Sequence, residues 1–152
     1  RLDAQHGADA RHEGAVIGLA FSPDGGTFAT IGEDDRLLVW AAHDGSARGA
    51  LRPFSSRVSS MALSGDGATL AVGAGDGTLA LHGLDGALRR RVRGHQGAVT
   101  SAAFVASAQV VTAGTDRSVR TCRLDGEAST LLLQAQGAVQ GVSLAPSGKS
   151  FA

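Results

Sequence analysis

A hydroxyl nucleophile needs an imidazole to take its proton and a carboxylate to orient that imidazole. His12, Thr30 and Asp34 supply those three groups within one short stretch of the chain. The same trio recurs as His95, Thr112 and Asp116. That recurrence argues against a nucleophilic site. A catalytic triad acts at one place, whereas a set that reappears unit by unit is the trace of a repeated structural bond. An imidazole buried in such a bond is also out of reach of a substrate proton. The expectation is a structural role for both trios and no catalytic residue.

Other chemistries are weaker still. Gly73-Ala74-Gly75-Asp76-Gly77 has the glycine content of a phosphate loop. It lacks the following helix and the Lys-Ser or Lys-Thr ending that would place an ammonium on phosphate. Glu33-Asp34-Asp35 is acidic but lacks the alternating carboxylates and closing Glu of a calcium loop. His6, His43 and His82 have no companions at zinc-ligand spacing. No metal and no cofactor are expected. The one cysteine, Cys122, excludes an internal disulfide framework and fits a reducing compartment, so the expected location is intracellular and cytoplasmic.

What must position these residues is a repeat. Val16, Val58, Val99 and Val139 are spaced 42, 41 and 40 residues apart. Asp34, Asp76 and Asp116 run in phase with them, as do Asp44-Gly45, Asp85-Gly86 and Asp125-Gly126. A period near forty, with several short strands per unit, marks an array of one supersecondary element that buries its apolar face only against its neighbours. Apolar residues alternate with period two almost throughout. Thr27 to Ile31, Leu37 to Trp40, Leu70 to Val72 and Val119 to Cys122 are examples, each bounded by Gly and Asp turns. No stretch keeps the 3.6 period long enough for a helix. The fold class is all-β, with four antiparallel strands per unit.

In register, these residues resemble the WD-repeat β-propellers. The matches are His12-Glu13-Gly14-Ala15-Val16, then Phe21-Ser22-Pro23-Asp24-Gly25, then Asp34 followed six residues later by Trp40. Gly94-His95-Gln96-Gly97-Ala98-Val99 repeats the opening signature. The resemblance implies a buried relay in which Asp accepts from His, His bonds a hydroxyl, and the hydroxyl accepts from the Trp indole. Repeat one carries the full set as His12, Thr30, Asp34 and Trp40. Repeat three keeps His95, Thr112 and Asp116 with Cys122 in place of Trp. Repeat two keeps only Asp76, with Phe54 near the His position, Val72 for the hydroxyl and His82 for Trp, and is expected to be held by apolar packing.

The resemblance further implies repeats at approximately 12–53, 54–94 and 95–134, with a truncated fourth at 135–152. The expected architecture is partial: three blades plus the inner strand of a fourth, near Val139 to Leu144. Closing a ring takes roughly four to eight blades. The chain opens on Arg1 and stops at Phe151-Ala152 in mid-pattern, so the rest of the same propeller is an expected partner, and the chain alone is expected to associate or to be marginally stable.

Lys and Arg total 14 and Asp and Glu total 14, with no large block of either sign. Neither nucleic acid nor membrane is therefore an expected partner. No apolar run reaches the roughly 20 residues that span a bilayer. Arg89-Arg90-Arg91-Val92-Arg93 reads as a solvated outer strand whose charges discourage edge pairing. The function implied by the resemblance is a non-catalytic scaffold that binds proteins or peptides. The alternative is a sensing or docking propeller attached to a kinase or protease domain. Residues flanking the inner-strand Val and preceding the loop Asp form the candidate binding rim: Ala15, Ile17, Glu33, Arg57, Ser59, Thr100, Thr115 and Gln140.

Overall fold

A computed structural model of the chain describes residues 11–22, 24–51, 56–85, 87–105, 108–126 and 128–143. The described residues form twelve strands and no helix. The first sheet contains β1 (Val16–Phe21), β2 (Thr27–Gly32), β3 (Leu37–Ala41) and β4 (Ala47–Leu51). The second contains β5 (Val58–Leu63), β6 (Thr69–Ala74), β7 (Thr78–Gly83) and β8 (Leu88–Arg93). The third contains β9 (Val99–Val105), β10 (Gln109–Gly114), β11 (Ser118–Arg123) and β12 (Ser129–Gln134). Within each sheet the strands pair antiparallel in chain order, so every connection is a hairpin. The first strands lie side by side across the sheets, β1 against β5 and β5 against β9. They form the inner edge of an arc of three blades.

Local chemistry sets these hairpins. Ser22 Oγ lies 2.5 Å from Asp24 and accepts the Thr27 amide at 2.9 Å, closing the β1–β2 turn. Ser64 does the same with Asp66 and Thr69 between β5 and β6. Gly25 and Gly67 hold φ at 68° in those turns, the left-handed region that glycine enters at no steric cost.

The core lies between sheets. Ala29, Ile31, Leu37 and Val39 of the first sheet pack on Val58, Leu70 and Val72 of the second. Ala71, Leu79, Leu81 and Val92, on the opposite face of the second sheet, pack with Val110 and Cys122 of the third. Alternating residues of β6 thus feed two cores, and every residue of β6 and β7 is buried. At about 1.5–3 kcal/mol for each fully buried Leu, Ile or Val side chain, this stacking is the main force joining the blades.

The expected lone strand at Val139 to Leu144 is not a strand over residues 139–143, and Leu144 lies outside the described residues. The reason is visible in the other repeats, where each inner strand takes its ladder from the strand that follows it. The segment still docks where an inner strand would. Val139 and Val142 pack on Val111, Ala113 and Val119, and the Val142 amide donates to Ser101 Oγ at 3.1 Å.

Candidate functional site

The sheets bring both polar trios together. His12 precedes β1, Thr30 lies in β2 and Asp34 in the β2–β3 turn. His12 Nδ1 is 3.0 Å from Asp34 Oδ1, and Nε2 is 2.8 Å from Thr30 Oγ1. Trp40 in β3 donates its indole N–H to the same Thr30 oxygen at 2.8 Å. One proton arrangement satisfies all of these contacts. Nδ1–H donates to the carboxylate, Thr30 donates to Nε2, and Thr30 accepts from Trp40. In the third sheet His95 lies 3.0 Å from Asp116 and 2.9 Å from Thr112. Cys122 stands where Trp40 does, and Ser118 adds a hydroxyl 3.0 Å from His95 Nδ1 that donates to Asp116 at 2.8 Å.

Each Asp is more than a partner for His. Asp34 also accepts the Glu13 amide at 2.9 Å and the Arg36 amide at 3.1 Å. Asp116 accepts the Gln96 amide at 2.9 Å and the Ser118 amide at 3.1 Å. The carboxylate therefore ties the connection before a blade to the turn inside it. Burial opposes ionisation of Asp34, but the Glu13 amide, the His12 ring and the Arg36 amide outweigh it and hold the carboxyl at about 2. Burial of Asp116 is likewise overcome, by His95, the Gln96 amide and Ser118, and its carboxyl sits well below the usual range.

Among the described residues, the second sheet shows the local half of this arrangement. Asp76 accepts the Thr78 amide at 3.0 Å, is exposed, and is lowered chiefly by that amide. Val72 and His82 are buried at the positions of Thr30 and Trp40, and Phe54 lies outside the described residues.

Sequence reasoning missed two glycines that make the relays possible. A Cβ on Gly32 would collide with His12 Nδ1 and Asp34 Oδ1, and one on Gly114 with His95 Nδ1 and Asp116 Oδ1. Ala74 holds the matching position in the second sheet, where no imidazole of this kind is needed. The signal was present in the sequence: the residue two before the loop Asp is Gly only in the repeats that carry His.

The rim residues divide into two groups. Ile17, Ser59 and Thr100 each stand at a register shift near the start of an inner strand. Such bulges re-aim a side chain. Ser59 Oγ points to the next inner strand, 2.6 Å from the Val99 carbonyl, and Thr100 Oγ1 donates to the Val139 carbonyl. The Ser59 hydroxyl joins two blades, and that of Thr100 ties the third blade to the segment at Val139. Ala15, Ile17, Glu33, Arg57, Thr115 and Gln140 are exposed, and they are available for contact. No group of three or more His, Cys, Asp or Glu placed to hold a metal occurs among the described residues.

This geometry accompanies a match to the model of the WD domain, G-beta repeat, over residues 10–41, 45–82 and 86–121. The chain belongs to the WD-repeat family. It is 27% identical over 146 residues to guanine nucleotide-binding protein subunit beta-1 of Drosophila melanogaster, covering 92% of this chain and 43% of that protein. The chain thus spans less than half of that relative's length. Two solved structures, of U3-55K and of the RRP9 WD40 repeats, superpose with a TM-score of 0.80 at 24% identity. They cover 87% of this chain and 43% and 42% of theirs, and they place the three sheets as WD-repeat propeller blades. Proteins with WD repeats generally serve as scaffolds for other proteins.

Proposed function

We propose that this chain is a non-catalytic scaffold that presents proteins or peptides with the exposed rim of its inner strands, within an intracellular WD-repeat propeller. The observation that carries this reading is the state of Thr30 and Thr112. Both hydroxyls are buried and each is engaged with an imidazole, so these two triad-like sets are spent on holding the blades. Ala15, Ile17, Glu33, Arg57, Thr115 and Gln140 supply the contact surface, with Arg57 as its one residue of a type favoured at binding hot spots. Nucleic acid and membrane are not partners in this reading, because the charges are balanced and dispersed. The one cysteine is a buried thiol, in keeping with a reducing compartment.

A photo-crosslinking amino acid placed at Glu33, Arg57 or Gln140 is expected to capture protein partners that the same group at the outer-strand position Arg91 does not. Equal capture from all four positions would remove the rim from the proposal. Hydrolytic turnover abolished by Thr30→Val or Thr112→Val in a chain that still folds would overturn the non-catalytic assignment.

A further inference from the structure

The three outer strands end their sheets with one edge unpaired among the described residues, and they meet that condition differently. Each carries one residue that drops out of the ladder to the neighbouring strand. It is Arg48 in β4, between Ala47 and Gly49, and Arg89 in β8, between Leu88 and Arg90. In β12 it is Leu132, between Leu131 and Leu133. A bulge and a long charged side chain are two ordinary defences of a sheet edge. β4 and β8 have both, and β8 adds Arg90, Arg91 and Arg93. β12 keeps the bulge and puts leucine on it.

The edge is also apolar and exposed. Leu131, Leu132 and Leu133 retain 48%, 46% and 52% of their surface in solvent. From Ala128 to Ala135 the chain carries no charge. We infer that β12 is a docking edge for a second copy of this chain, with the two β12 strands meeting antiparallel about a two-fold axis.

Three features select that occupant. The unpaired amides and carbonyls of an edge strand are satisfied by another strand and not by a helix or a compact surface. A two-fold contact must be self-complementary, and the uncharged Ser129–Gln134 segment, with its leucines at the centre, places leucine near leucine and polar Ser129 and Thr130 near polar Gln134. The same operation on β8 would set arginine against arginine. The paired surface is one short strand and the bulge limits its flat run, so the contact falls below the size of a standard stable interface and the dimer forms weakly, at micromolar concentration or above. Leu133 pairs with Val119, on the face that carries Val139 and Val142, and Leu131 pairs with Arg120 on the opposite face.

Sedimentation velocity on the 152-residue chain tests the inference over a concentration series up to about 200 µM, a range suited to a small interface. The expected result is a monomer–dimer equilibrium that Leu132→Lys weakens at least tenfold and that Leu19→Lys, on the exposed face of the first sheet, leaves unchanged. Hydrogen exchange should show the amides of Ser129–Gln134 slowing as concentration rises. A monomer throughout the series overturns the inference. So does association that survives Leu132→Lys but is lost in Leu19→Lys, because the contact would then be the face of the first sheet. Dimerisation without added protection in β12 would show that the leucines touch something other than a strand.

Discussion

The first and second sheets solve the same folding problem with opposite resources. The first carries the whole relay from His12 to Trp40, yet Val16, Leu19 and Phe21 of its inner strand stay exposed. The second lacks the His and Thr of that relay in its sequence, yet β6 and β7 are buried at every residue because blades pack on both of its faces. Relay and core therefore do different jobs. The relay fastens the connection ahead of a blade to the β2–β3 turn or its equivalent. Apolar stacking joins blade to blade. The third sheet combines the two, since Val110 and Cys122 pack on the second sheet while His95 keeps Asp116 and Thr112.

The largest way to break this contrast is to fill the space that the imidazole occupies. Gly114→Ala drives a methyl into His95 Nδ1 and Asp116 Oδ1. The relay must open, and the expected cost is about 3 kcal/mol in urea unfolding, combining overpacking with an unpaired buried ring. Gly32→Ala should behave alike. Ala74→Gly, the reverse change in the sheet without a relay, should cost only about 0.5–1 kcal/mol through backbone entropy. Equal losses at positions 114 and 74 would mean that the glycines serve the strands and not the imidazoles.

Removing the carboxylates is the next test. Asp34→Ala and Asp116→Ala leave a buried imidazole and two backbone amides without their acceptor, at about 2 kcal/mol each. Asp76→Ala removes exposed bonds to the Thr78 amide and side chain and should cost less than about 1 kcal/mol. The comparison fails if the three variants melt together.

Acid provides the same comparison without mutation. Asp34 titrates at about 2 when folded, against 3.8 ordinarily. A carboxyl depressed by folding stabilises the folded chain above its unfolded value, and that contribution fades as pH falls through the folded one. For Asp34, whose side chain is 7% exposed, the amount is about 2 kcal/mol, lost between roughly pH 4 and pH 2. Asp116 adds to the loss in the same direction. Unfolding free energy measured from pH 5 to pH 2 should fall steeply in the natural chain and less steeply in Asp34→Asn. An unchanged slope in that variant would remove Asp34 from the acid transition.

Most of the fold was legible because its signals are local. Period-two alternation and Gly and Asp turns mark four strands in each of three units by short-range rules, and the twelve strands of the described residues follow them. The partners of His12 and His95 were legible through recurrence and family resemblance. What was not legible depends on distances between sheets. Nothing in Ser59 or Thr100 as residue types says that a bulge turns their hydroxyls onto the next inner strand. Gly32 and Gly114 were legible only by comparing repeats, because a single glycine at a strand end has many commoner reasons. The segment at Val139 reads as a strand by pattern, but a strand is defined by its ladder, and pattern supplies only half of one.

The smallest expected effect asks whether the relay is a chain or a pair. Trp40→Phe keeps the aromatic ring that stacks on Phe28 at 6.0 Å and removes only the N–H that Thr30 accepts. The third sheet already lives with that change, since Cys122 occupies the matching site while His95 keeps Asp116 and Thr112. If the essential unit is His with Asp, Trp40→Phe should cost about 1 kcal/mol, the net worth of one ordinary hydrogen bond. A double-mutant cycle with Asp34→Ala should then be additive, because the two ends of the relay would act independently. If the bonds polarise one another along the relay, the single change costs more and the cycle shows coupling. A loss as large as that of Asp34→Ala, with strong coupling, would make the first sheet a cooperative four-residue unit and the third sheet a different device that relies on Ser118 in place of the indole.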